Sequence, residues 1–190
     1  MELAVKEICK SYGEKAVLKD FSYTFARNHI TCILGESGRG KTTLLRILMG
    51  LEQKDAGEII GFEKIKRSAV FQEDRLCKNL SAVANIKLVC SRDITKEEVM
   101  ENLERVGLAD SADQPVQELS GGMQRRVAIV RALMAEYDVL FMDEPLKGLD
   151  ADTKEQVTRY LLEKTAGKTV IMITHEPEEV VRLNAVELKM

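Results

Sequence analysis

The chain of 190 residues has no long apolar run, few prolines and no closely paired cysteines, and each absence narrows what it can be. Crossing a bilayer takes about 20 consecutive apolar residues. The longest uncharged apolar stretches, Val139 to Met142 and Thr169 to Thr174, are a fraction of that, so no membrane span is expected. The opening Met1-Glu2-Leu3-Ala4-Val5-Lys6-Glu7 places acids where a secretion signal needs a basic region and then an apolar run, so no signal is expected either. With 3 Pro, 12 Gly, no repeat and no low-complexity tract, nothing marks a flexible linker, and residues 1–190 read as one integrated domain. Cys9, Cys32, Cys77 and Cys90 form no CxxC pair, and three of them lie in or beside apolar segments, as reduced structural thiols of a cytosolic protein would. Lys and Arg number 28 against 31 Asp and Glu, a net charge of -3, with the basic residues spread along the chain. That leaves no electrostatic footprint for nucleic acid. What is present is core-forming material, 45% hydrophobic residues against 31% charged, the balance of a globular domain.

Short β-type runs open the chain, Leu3 to Ile8, Val17 to Phe25 and Ile30 to Leu34, with Ser11-Tyr12-Gly13-Glu14 as a turn between the first two. A helix follows from about Lys41, its apolar Leu44, Leu45, Leu48 and Met49 on one face and Gly50 as its stop. The region of about residues 80–119 reads as helical, with a capping box at Thr95 and Glu98, apolar Val99, Leu103 and Val106, and Gly107 as terminator. An amphipathic helix over about 120–136 then carries Met123, Val127, Val130 and Met134 at helical spacing. Strands at Val139 to Met142 and Val170 to Thr174 bracket a helix from Asp152 to Lys164. Strands alternating with helices imply a parallel sheet covered on both faces.

Gly35-Glu36-Ser37-Gly38-Arg39-Gly40-Lys41-Thr42 fits G-x-x-x-x-G-K-[ST], the P-loop, and lies between a strand and a helix as that loop requires. Its glycines let successive backbone N–H groups curl round a phosphate, and the helix N-terminus adds a favourable dipole. Residues 35–43, Thr43 included, therefore form a candidate nucleotide-phosphate site. In it Lys41 reaches the β- and γ-phosphates, and the Thr42 hydroxyl takes a Mg²⁺ position. A metal-bound nucleotide also needs an acid at the end of a neighbouring strand. Val139-Leu140-Phe141-Met142-Asp143-Glu144 supplies two, with Asp143 for Mg²⁺ and Glu144 to polarise the attacking water.

One further segment discriminates among P-loop proteins. Leu119-Ser120-Gly121-Gly122-Met123-Gln124-Arg125-Arg126 resembles the LSGGQ signature of ATP-binding cassette (ABC) ATPases, and lies just ahead of the acidic strand as in that family. Physically it is a second anion cradle at a helix N-terminus. The resemblance extends along the chain. Tyr12 matches the aromatic residue that stacks on adenine, Gln72 the glutamine that contacts Mg²⁺ and water, Asp150 the aspartate of the D-loop, and His175 the switch histidine that hydrogen-bonds the γ-phosphate. The implied fold is α/β, a P-loop NTPase with a mainly parallel core sheet, an N-terminal antiparallel β subdomain and an inserted helical subdomain.

The resemblance implies a Mg²⁺-dependent ATP hydrolase whose two copies face each other head to tail, as a homodimer or with a similar cassette. Each ATP then lies between the P-loop of one copy and Ser120, Gly121, Gly122 and Asp150 of the other. It further implies separate transmembrane permease subunits, received by the Gln72 to Leu80 region and the helical subdomain, and a place on the cytoplasmic face of a membrane. Met123, where the commonest signature has Gln, is similar to importer ATPases of the nitrate, sulfonate and taurine type, and an importer is the implied direction. The segment from Gly57 to Gln72 and the helical region are shorter than usual in the family, and no regulatory tail domain is expected in the 15 residues past His175. An ABC ATPase driving a membrane protein without solute transport, as in cell division or lipoprotein release, is the alternative. A small-molecule P-loop kinase fits the length but leaves Ser120 to Met123, Gln72 and His175 without a role.

Overall fold

A computed structural model describes residues 2–190; Met1, first residue of the expected 1–190 unit and of the segment read for a secretion signal, lies outside the described residues. Two sheets share one layer of core. The first is antiparallel, of order β2-β1-β4, built from β1 (Leu3–Tyr12), β2 (Lys15–Phe25) and β4 (Ala56–Ile60). Tyr12 pairs with Lys15 across a tight turn at Gly13, whose φ of 58° lies in the left-handed region. The second sheet is wholly parallel, of order β5-β6-β7-β3-β8, from β3 (Ile30–Leu34), β5 (Arg67–Val70), β6 (Val139–Asp143), β7 (Thr169–Ile173) and β8 (Val186–Lys189).

Every residue of β3, β6 and β7 is buried, which is why these strands read as unbroken apolar runs rather than as alternation. One face packs on α1 (Lys41–Met49) and the antiparallel sheet, through Leu44, Leu45 and Leu48 against Leu3, Ile8 and Phe25 on one side and Ile33, Phe141 and Ile171 on the other. The opposite face carries Cys32, Leu140, Met142 and Met172 into a second cluster with the remaining helices. These are α2 (Ala82–Lys87), α3 (Lys96–Glu104), α4 (Gly121–Met134), α5 (Ala151–Lys164) and α6 (Pro177–Arg182).

Local chemistry starts and stops the helices where sequence signals place them. Gly50 ends α1 in the left-handed conformation, its N–H reaching back to Arg46 and Ile47 carbonyls. Thr95 and Glu98 form the reciprocal capping box of α3, with bonds of 3.1 and 2.7 Å. Ser120 caps α4. Between α3 and α4 the chain makes two single 3-10 turns, Ala109–Ser111 and Val116–Glu118, rather than further α-helix. The structure adds β4, β5, α6 and β8 to the elements expected from the sequence.

Candidate functional site

The glycine-rich loop follows β3 and leads into α1. Gly38 and Gly40 hold φ of 83° and 92°, and a Cβ on Gly40 would come within 2.9 Å of the Val17 carbonyl. Only glycine fits there without strain. No side chain caps α1 and its first turn holds no acid, so the N–H groups at this end are unclaimed by side chains, the condition for an anion site. Lys41, 5% exposed, folds back so that Nζ donates to the carbonyls of Gly35 at 2.7 Å and Glu36 at 2.8 Å. Burial lowers its ammonium below the ordinary value, against the opposing pull of Glu144 and Asp143. The side chains of Glu36 and Arg39 are exposed and pair with each other at 3.4 Å.

The parallel sheet then delivers the acids. β6 ends in Asp143, 6% exposed, which lines one cleft together with Thr42. Burial raises its pKa above the usual carboxylate value, with Thr42, Arg125 and Lys41 opposing and Glu144 adding to the rise. A divalent cation would relieve that desolvated charge. Among the described residues no group of three or more His, Cys, Asp or Glu could hold a metal by itself, so Mg²⁺ here would take Thr42 and Asp143, with Gln72 in the same cleft, and complete its shell from phosphates and water, as that ion prefers.

Glu144, next in sequence, has φ of 49°, an uncommon conformation for a residue with a Cβ. Its N–H donates to Ile173 of β7 at 3.0 Å, which fixes the turn. One carboxylate oxygen lies 2.9 Å from His175 Nε2 and the other 2.6 Å from Lys147 Nζ. Burial works against ionisation of Glu144, but Lys147 and His175 outweigh it and hold the pKa below the ordinary value.

A cavity of about 360 Å³ is lined by Ser37, Gly38, Gly40, Lys41, Thr42, Thr43, Gln72, Glu144 and His175, joined by Lys15 and Val17 of β2. Thr42, Gln72 and Asp143 also line a second cleft of about 170 Å³. One chain thus gathers the P-loop, both acids, Gln72 and His175. It does not bring Ser120, Gly121, Gly122 or Asp150 into either cavity. Ser120 and Asp150 instead sit at the N-termini of α4 and α5, where their side chains accept from the N–H of Met123 at 3.3 Å and of Thr153 at 2.9 Å. Met123 packs partly buried against the large helical core cluster, an apolar role at the place where the commonest signature has Gln. Tyr12 lines neither cavity. It is 49% exposed, with Lys10 Nζ 5.1 Å from its ring centroid, while its cross-strand partner Lys15 does line the larger cavity. A groove of about 440 Å³ between α1 and β4 involves none of these site residues.

Arg125, which no local pattern singles out, ties the two halves of this site together. Its buried guanidinium donates to the carbonyls of Pro145 at 3.0 Å, Asp143 at 2.8 Å and Glu144 at 2.6 Å, and on the other side to the Phe71 carbonyl and to Asp74 Oδ1 at 2.9 Å. The planar fork therefore pins the segment holding Gln72 to the segment holding both acids. Beside Arg126 in a helix of mixed polarity, nothing in its spacing marks it out.

The model of the ABC transporter family matches residues 18–147. The chain is 36% identical to "Aliphatic sulfonates import ATP-binding protein SsuB 3" of Rhodococcus jostii over 96% of its own length and 69% of the relative's. It is also 36% identical to "Spermidine/putrescine import ATP-binding protein PotA" of Aggregatibacter actinomycetemcomitans over 96% of its length, and spans 53% of that relative. In structure it resembles the dimeric structure of MJ0796, described as a bacterial ABC transporter cassette, with a TM-score of 0.84, 28% identity, and coverage of 98% of this chain and 94% of that one. With the P-loop, its acids, Gln72 and His175 gathered at the ends of one parallel sheet, these matches lead to one assignment: the chain belongs to the ABC transporter family and carries its ATP-binding, ATP-hydrolysing domain.

Proposed function

We propose that this chain binds ATP with Mg²⁺ at the P-loop cavity, hydrolyses it in a head-to-tail pair, and energises import through separate permease subunits. The observation that carries the reading is the division of the site. Lys41, Thr42, Gln72, Glu144 and His175 line one cavity, while Ser120 to Gly122 and Asp150 lie outside it, so a second copy is needed to supply the facing half. The dimeric cassette structure supports this arrangement.

In the proposed reaction Lys41 leaves the Gly35 and Glu36 carbonyls for the phosphates, and the unclaimed N–H groups of α1 hold the same anion. Thr42 and Asp143, with Gln72 in the same cleft, would hold Mg²⁺, which would supply neutralisation of phosphate charge. Glu144 is held ionised, hence able to accept a proton from the attacking water, and His175 beside it donates to the γ-phosphate. Tyr12 takes adenine by a movement of the hairpin tip or of its own side chain, since it stands outside the cavity lining. Residues 80–136 act as the helical subdomain that meets the permease, with Gln72 to Leu80 as the receiving groove. No helix among the described residues is long and apolar enough to cross a membrane, which fits attachment through a partner. The sulfonate, spermidine and putrescine named for the relatives support importer chemistry as the class.

Glu144→Gln is the test. With ATP and Mg²⁺ it is expected to run as a stable dimer by light scattering, with turnover reduced at least about 100-fold, the lower bound of general-base catalysis. Rapid hydrolysis by this variant would overturn the base assignment. A tagged form pulled from detergent-solubilised membranes should bring a multi-span permease; a partner with few spans would point to a membrane protein driven without solute transport.

A further inference from the structure

His175 lies between β7 and α6, and both of its neighbours are tied down by one network. Thr174 Oγ1 donates to Glu179 at 2.5 Å and accepts from the Glu176 N–H at 3.1 Å. Glu176 and Glu179 then converge on a single cation. Lys154 Nζ stands 2.7 and 2.6 Å from the two oxygens of Glu176 and 3.1 Å from Glu179 Oε1, so the three N–H bonds of one ammonium face three carboxylate oxygens. Only 13% of the Lys154 side chain is exposed, and Glu179 is 5% exposed. Among the described residues no other basic side chain pairs with either acid.

Lys154 belongs to the first turn of α5. Its own N–H donates to the Asp150 carbonyl at 2.8 Å, and the Asp150 side chain caps the same turn. Asp150 and His175, far apart in sequence, are thereby the two ends of one ion-paired unit. Without Lys154, a buried carboxylate and its half-exposed neighbour would face each other uncompensated, and their repulsion would act directly on the residue next to His175.

We infer that Lys154 is a positioning residue for ATP hydrolysis: by clamping Glu176 and Glu179 to the first turn of α5, it sets His175 beside Glu144 and couples that placement to the Asp150 loop. This rests on the proposed reading of His175 and Glu144 as the groups that act on ATP.

The test uses the full chain and three variants. Folded Lys154→Met is expected to lose at least about tenfold in kcat while its affinity for a fluorescent ATP analogue changes less than about threefold, and Lys154→Arg to recover most of the loss. The chain has two histidines, so imidazole NMR separates His175 from His29. Lys154→Met should move the His175 ring resonances and leave those of His29 in place, which a general loss of stability would not do. Should Lys154→Met fail to fold, Glu176→Ala, which removes the more exposed acid, should give the same displacement of His175 and a smaller loss of kcat. Wild-type kcat together with an unmoved His175 resonance in a folded variant would overturn the inference. An inactive wild-type chain would overturn the proposed function itself, and is read before any variant.

Discussion

Asp143 and Glu144 are neighbours in the chain, yet their environments push them in opposite directions, the first raised by burial and the second lowered by two cations. A carboxyl whose folded pKa is raised binds its proton more tightly in the native state, so the stability it contributes is present below its ordinary 3.8 and is lost as pH rises through the raised value. At neutral pH ionised Asp143 therefore costs stability. Asp143→Asn should raise the melting temperature of the nucleotide-free, Mg²⁺-free protein, by about 2–4 °C for each kcal/mol relieved. It should also cancel most of the further rise that Mg²⁺ and ATP give the wild type. Thermal melts with and without Mg²⁺-ATP check both, and an unchanged apo midpoint would refute the first. Arg125 makes a harder test. Its loss leaves several buried carbonyls unpaired at about 1–3 kcal/mol each, so Arg125→Leu should lower unfolding free energy by at least about 3 kcal/mol in urea titration. Arg125→Lys keeps the charge but not the fork and should recover less than half of it. Lys41, Thr42, Asp143 and Glu144 were legible because each sits in a local pattern whose chemistry dictates its neighbours. Arg125 was not, because its partners come from residues 71–74 and 143–145 and meet only in the fold.

At the scale of elements, boundaries followed local chemistry wherever a cap or glycine marked them, as at Gly50, Thr95, Ser120 and Asp150. The capping box of α3 is exposed and local, so Thr95→Ala should cost about 1 kcal/mol. Asn85 is fully buried and bonds the Cys77 N–H and the carbonyls of Cys77, Leu80 and Ser81, holding the loop that precedes α2. Asn85→Ala should therefore cost more, about 2 kcal/mol or above, since it strands buried polar groups. Chemical denaturation of the two variants side by side checks the order, and equal losses would contradict it. The elements that escaped the sequence reading are those whose residues carry little periodicity. In β5, Arg67-Ser68-Ala69-Val70 is a strand because it completes β6, and Arg67 reaches out to the carbonyls of Leu48, Ile65 and Phe62. In β8, Val186-Glu187-Leu188-Lys189 buries Leu188 alone and is held by pairing with β3.

At the scale of the molecule, the proposed sharing of each nucleotide between two copies makes a complementation experiment decisive. Lys41→Ala removes the phosphate cation from one half-site, and Ser120→Arg blocks the opposite half-site. Each variant alone should be inactive, since both of its composite sites carry the lesion. Mixed in equal amounts, they form heterodimers with one intact composite site, and ATPase activity should return to a substantial fraction of wild type. Mixtures as inactive as their parts would exclude a shared site. The fold supports such a pairing by leaving the N-termini of α4 and α5, with Ser120 and Asp150, outside the P-loop cavity of their own chain.

The amino-acid sequence alone determined the P-loop, the acids that close β6, the buried parallel strands and the helix caps, because each is dictated by neighbours within a few residues or by an apolar run with no other outlet. The tertiary structure decided what no local pattern contains. It settled the pairing of β5 with β6 and of β8 with β3, the fork of Arg125 across two loops, and the meeting of Lys154 with Glu176 and Glu179 beside His175. A charged side chain in the interior is specified by the partners that compensate it, and those partners are brought together only when the chain has folded.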